Sequence, residues 1–227
     1  MKQLNHRDLT SSSMGHGRYI DPFEILRRSA PQDDNCHSER SEESPAITVK
    51  AGEKLDLQYV VLPGESRDIN VEVDLTGPGA ELSLKALYLS SARDKVNFRI
   101  LVHHRAPGCH STQLVKGIAG GEAEVTFNGT IVVAPDAQKT EAFQENHNIL
   151  FGDSAKVETR PQLEIYADDV KCSHGATVGR LNEDELFYMR SRGIPKTEAE
   201  ALQMLSFLSP VIPENRAEEI ENAISSL

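Results

Sequence analysis

Residues 161–179 read Pro-Gln-Leu-Glu-Ile-Tyr-Ala-Asp-Asp-Val-Lys-Cys-Ser-His-Gly-Ala-Thr-Val-Gly, from Pro161 to Gly179, and the periodicity of the chain changes where this stretch ends. It closes a β-rich region and immediately precedes a capped helical segment. It also sets a thiol and an imidazole two residues apart, at Cys172 and His174. If 171–174 continues as a strand, the period of two places both on one face and Lys171 on the other. A thiolate beside a neutral imidazole suits a soft metal such as iron or zinc, although two ligands are fewer than a closed site needs. Any cluster here needs further ligands from elsewhere or from a partner.

Upstream, short runs with strand-like alternation recur at 55–61, 69–75, 81–87, 96–102 and 122–127. Between them stand Pro63-Gly64, Gly77-Pro78-Gly79, Pro107-Gly108, Gly120-Gly121 and Pro135-Asp136, which are turn signals. Regular spacing of short strands by itself permits a sandwich, a barrel or a β-helix, and no exact repeat selects among them.

Downstream of Gly179 the spacing becomes helical. Asn182 with Glu185 forms an N-terminal capping pair and Gly193 a stop, predicting a helix over 182–192. Thr197 with Glu200 predicts a second capping box, followed by an apolar stripe of Leu202, Leu205 and Leu208 that ends before Pro210. Pro213 opens a third segment with Ala217, Ile220, Ile224 and Leu227 at helical spacing. The expected organisation is a poorly ordered segment at 1–45, a β core at 46–179 and a small helical subdomain at 180–227. Within the first segment, 20–28 could form a short helix with Asp21 as its cap, and the Ser/Glu/Arg tract 37–45 reads as a solvated linker.

The formal charge of -11 argues against a non-specific nucleic-acid binder, whose phosphate contacts require clustered Lys and Arg. No run approaches the roughly 18 apolar residues of a membrane span, and Met1 to Asp8 lacks the apolar core of a secretory signal. Cys36, Cys109 and Cys172 are widely spaced and contain no Cys-x-x-Cys pair, so reduced thiols in a cytoplasmic setting are the expectation. Phosphate-cradling loops, His-Glu-x-x-His and Gly-x-Ser-x-Gly motifs are absent from the sequence, so if ATP is involved a partner must hydrolyse it.

The run from Phe127-Asn128-Gly129 through 137–144 (Ala-Gln-Lys-Thr-Glu-Ala-Phe-Gln), Asn146-His147-Asn148-Ile149-Leu150 and the 161–179 stretch resembles the SufB/SufD family of iron-sulfur cluster assembly proteins. Residues 186–194, Leu-Phe-Tyr-Met-Arg-Ser-Arg-Gly-Ile, extend the resemblance into the helices, and Cys-Ser-His-Gly favours its SufD side. The resemblance implies a right-handed parallel β-helix, whose coils bury their apolar faces only by stacking on one another. It further implies a non-enzymatic subunit with no tightly bound cofactor. A nascent iron-sulfur cluster would form near Cys172 and His174, at the contact with a SufB-like subunit or a second copy. A SufC-like ATPase would dock on the C-terminal helices, with Leu186, Phe187, Met189, Leu202, Leu205, Phe207 and Leu208 as the contact residues, since three short helices carry more apolar surface than they can bury among themselves.

Three other readings stay open at this level. Cys172 and His174 can be core residues of a shortened structural module without cluster chemistry. Asp168 and Asp169, with His174, can belong to a β-helical hydrolase, although neighbours on a strand diverge and a turn role suits the pair. His103-His104 and Cys109-His110 cluster round the Pro107-Gly108 turn and suit surface or satisfied core side chains, since His103 and His104 point to opposite faces of a regular strand, while Asn146-His147-Asn148 suits a ladder of polar side chains along a β-helix.

Overall fold

The computed structural model describes residues 18–19, as backbone, and 46–227. The expected helix at 20–28, the tract 37–45 and Cys36 lie outside the described residues. The strands are β1 (Arg18–Tyr19), β2 (Ile47–Val49), β3 (Lys54–Val61), β4 (Arg67–Leu75), β5 (Glu81–Ser90), β6 (Lys95–His104), β7 (His110–Gly120), β8 (Glu124–Val133), β9 (Glu141–Phe151), β10 (Lys156–Ile165) and β11 (Lys171–Gly179). Odd-numbered strands form one sheet in the order β1-β3-β5-β7-β9-β11, and even-numbered strands form a second in the order β10-β8-β6-β4-β2. Every pairing is parallel. Each strand therefore pairs with the strand two further on, and the chain winds between the sheets as a β-solenoid of about five turns. The sandwich and barrel alternatives fall, because parallel neighbours require the chain to travel round through the other sheet before it returns.

The register stacks like on like. On the inner face of the odd sheet one column runs Leu55, Leu82, Ser111, Ala142, Cys172, and the next runs Leu57, Leu84, Gln113, Gln144, His174. Facing them, the even sheet stacks Ile69, Phe98, Phe127 and Thr159. The core between the sheets is dominated by Val, Leu, Ile and Phe in the early turns. Strands β4, β6 and β8 alternate between buried and more open positions along their length, because the outer face of the even sheet meets water. Strands β5 and β7 instead end in unbroken buried runs, Ala86 to Ser90 and Ser90's counterpart stretch Gly117 to Gly120. There the outer face of the odd sheet is covered as well.

The cover is the helical subdomain: α1 (Glu183–Ser191), α2 (Lys196–Leu208) and α3 (Ala217–Ser225), with short 3-10 turns at Ser209–Val211 and Glu214–Arg216. Asn182 caps α1 as expected, its Oδ1 accepting from the backbone N–H groups of Asp184 and Glu185, and Gly193 stops it at a φ of +89°. The second capping box does not form. Helix α2 begins two residues earlier behind Pro195 and has no side-chain cap, so Thr197 lies inside the first turn. Met204, Leu208, Val211, Ile220 and Ile224 pack on Val60, Leu87, Leu89, Ile118 and Ile149 of the odd sheet. The end of α2 is tied down by side chains from that sheet: Lys116 Nζ donates to the Phe207 carbonyl at 2.9 Å, Lys85 Nζ to Pro210 at 3.0 Å and Gln58 Nε2 to Val211 at 2.9 Å. These bonds satisfy carbonyls that a helix end leaves without partners.

Candidate functional site

Among the described residues, strand β11 is the last of its sheet and pairs only with β9, and β10 likewise ends the other sheet on β8. The final turn therefore has a neighbour on one side alone. Its inward positions, which in earlier turns are sealed by the next coil, form an open end of the solenoid. Cys172 and His174 face inward together, in register with Ala142 and Gln144. Lys171 points the other way and pairs with Glu141 at 2.7 Å. Cys172 is half-buried against the cluster of Ile131, Val133, Ala137, Ala142 and Ala167, whereas His174 is exposed. Burial pushes the Cys172 thiol above its ordinary range, opposed by a hydrogen bond from the Ala142 backbone.

Around this pair the rim is apolar. Ile165 is 41% exposed, Tyr166 62% and Val178 43%. Beneath it the interior turns polar. Gln144, Asn146 and Asn148 are buried on β9; Gln144 Nε2 donates to Gln113 Oε1 at 3.0 Å, and Asn148 Nδ2 to Asn146 Oδ1 at 2.7 Å. Tyr88 donates to Asn148 Oδ1 at 2.6 Å. Of the expected Asn146-His147-Asn148 ladder, only the two asparagines share the interior, bonded to each other along β9 rather than stacked from coil to coil, and His147 lies on the outer face between Thr177 (2.9 Å) and Glu145 (3.3 Å). Among the described residues no three His, Cys, Asp or Glu side chains converge to hold a metal, so Cys172 and His174 supply at most part of a ligand set.

The other candidates separate. His104 is fully buried, its Nε2 2.9 Å from Ser111 Oγ, while His103 lies on the outer face 3.8 Å from Glu72. Cys109 is buried and its thiol donates to the Gly77 carbonyl. Asp168 and Asp169 sit in the turn between β10 and β11, where the Asp169 backbone binds Gln138 Oε1 and Lys139 N–H. That is turn construction, as the sequence suggested.

Of the seven expected docking residues, two need correction. Leu186 and Leu208 are buried within the chain itself and cannot form a contact surface. Leu205 and Phe207 are half-buried against the core beside the odd sheet, with Lys116 over the Phe207 ring at 4.6 Å. The sheet absorbs most of the apolar excess that the helices could not bury alone. Phe187 at 74% exposure and Leu202 at 43% remain outside, joined by Tyr188, which the sequence reading missed. Between α1 and α2 a groove of about 440 Å³ is lined by Tyr188, Met189, Leu202 and Ser206 with Asp184, Glu185 and Gln203.

The class so defined is a two-sheet parallel β-solenoid with a flanking helical subdomain and a thiol-imidazole pair on its open last turn. The chain belongs to the SufBD core family: the profile for "SUF system FeS cluster assembly, SufBD core domain" matches residues 41–207. It is 39% identical to the iron-sulfur cluster assembly protein SufD of Escherichia coli over 68% of this chain and 37% of that protein. The corresponding SufD of Bacillus subtilis is 32% identical over 68% of the chain and 35% of its own length. An iron-sulfur cluster assembly SufBD family protein of Mycobacterium leprae is 32% identical over 67% and 41%. The chain thus spans roughly two fifths or less of these relatives.

Proposed function

We propose that the chain acts as a SufD-like, non-catalytic subunit of an iron-sulfur cluster assembly scaffold of the SufBCD type, in the cytoplasm. The observation that carries this reading is the inward placement of Cys172 and His174 on the last, open turn of a SufBD-family solenoid. The nascent cluster is cargo. Cys172, once deprotonated, and His174 supply ligands from this side, and the subunit that covers the end supplies the rest. A SufB-like subunit, or a second copy of this chain, fits that end because β10 and β11 each present an edge that no other described strand pairs, beside the apolar Ile165, Tyr166 and Val178. A SufC-like ATPase docks on α1 and α2, through Tyr188, Met189 and Leu202 of the groove and the exposed Phe187 of α1.

The test is reconstitution with the SufB-like subunit and the ATPase of the same host, followed by measurement of iron and sulfide. Cys172→Ser replaces a thiolate with a poor ligand and His174→Ala removes the imidazole. Each is expected to lower cluster content severalfold while leaving the thermal unfolding of the isolated chain unchanged. Parental cluster content in both variants would overturn the ligand role.

A further inference from the structure

Gln144 lies one strand below His174, in register and facing the same way. Its side chain is almost wholly buried, at 1% exposure. One end of the amide is committed, Nε2 donating to Gln113 Oε1 at 3.0 Å. Gly129, across the interior, makes room for it: a Cβ there would stand 2.5 Å from Gln144 Nε2 and 2.8 Å from its Cδ. The other end, Oε1, is buried without a hydrogen-bond partner. A buried acceptor left unpaired is costly, and native interiors rarely leave one. The open turn above it carries one side chain in this column that can donate, the imidazole of His174, on the neighbouring strand about 4.8 Å along the sheet.

We infer that Gln144 is a positioning residue for His174. The imidazole turns in from the open end and donates one ring N–H to Gln144 Oε1, which fixes the tautomer and leaves the lone pair of the other ring nitrogen facing out of the solenoid. Histidines that bind metals characteristically spend their second nitrogen on such a carbonyl. The Gln113-Gln144 pair holds the acceptor still, so the ligand is oriented before any cluster arrives. The use of that orientation for iron rests on the proposed function; the hydrogen bond itself does not.

Tautomers are read from the ring ¹⁵N shifts of the isolated, metal-free chain labelled with ¹⁵N-histidine, at about pH 8.5 where imidazoles are neutral, with His174 assigned by difference against His174→Ala. The parent is expected to favour one His174 tautomer by about tenfold over the ratio His174 shows in the urea-unfolded chain, equivalent to ~1.4 kcal/mol. Gln144→Met, close in shape but without an acceptor, should abolish the bias, and Gln144→Glu should keep it. A parent ratio equal to that of the unfolded chain, or the same bias in Gln144→Met, would overturn the inference, and the first of these needs no variant to fold. Iron content of the complex reconstituted with Gln144→Met separates the two levels. If His174→Ala retains full cluster content while the tautomer bias is present, the ligand reading fails and the positioning contact stands.

Discussion

At position 117 the interior column of the odd sheet requires glycine for a neighbour's sake. A Cβ on Gly117 would come within 2.1 Å of the Tyr88 ring, which lies across it and reaches Asn148. Gly117→Ala is therefore expected to push the ring aside, break the Tyr88-Asn148 bond and cost about 1–3 kcal/mol, measured as a lower urea midpoint. His104 gives a second prediction at this scale. Burial, reinforced by the nearby charges of His110 and His103, holds its imidazole down at about 4 against an ordinary 6.5. The unfolded chain thus binds a proton between these values that the folded chain refuses. The contribution is complete above about pH 6.5 and is lost as pH falls towards 4, roughly 3 kcal/mol in all at ~1.4 kcal/mol per pH unit. Urea titrations across this window should show parental stability declining with acid, and a folded His104→Gln variant should decline less steeply.

Among the elements, α1 and α2 divide their apolar residues between two tasks. Met204, Leu208 and Leu186 are buried and maintain the fold, whereas Phe187, Tyr188 and Leu202 are exposed, Tyr188 and Leu202 lining the groove. Substitution on the exposed set is expected to leave stability within about 0.5 kcal/mol of the parent. Phe187→Glu and Leu202→Glu should each weaken capture of a SufC-like ATPase at least tenfold by surface plasmon resonance, because a carboxylate placed in an apolar contact must be desolvated without a partner. Undiminished capture by both folded variants would exclude the groove as the docking surface. Helical spacing put Leu202, Leu205 and Leu208 on one stripe, and the resemblance added Leu186, with nothing local to rank the four. The outer face of the odd sheet distinguishes them, and that face is assembled from strands far away in sequence.

For the whole molecule, the consequence of a stacked architecture is that, among the described residues, its last turn lacks the following coil that every earlier turn has. Tyr166 and Val178 belong to that turn and are exposed in the single chain. Tyr166→Lys with Val178→Lys should leave the isolated chain as stable as the parent. The pair should abolish association at the open end, whether with a SufB-like subunit or with a second copy, and analytical ultracentrifugation of parent and variant with and without the subunit reads both cases. Parental association by the double variant would place the subunit contact elsewhere.

The sequence by itself determined the kinds of element and the principal chemistry of the end. Period-two runs, turn residues such as Pro107-Gly108 and the Asn182 cap are local signals, and local backbone sterics and hydrogen bonding suffice to read them. The shared face of Cys172 and His174 followed from strand periodicity in the same way. Which strands pair was carried by family resemblance alone, since alternation is identical in a sandwich and a solenoid. Gln113 and Gln144 passed unnoticed as ordinary polar positions, although amides at the inward phase of an alternating strand were a usable signal. Only the tertiary structure decided that they stack beneath His174, that Leu208 is core while Leu202 is surface, and that Cys172 stands at an end rather than in the middle. Each of those facts depends on the coil before or after, and burial is a property of the stacked coils that no single stretch of chain contains.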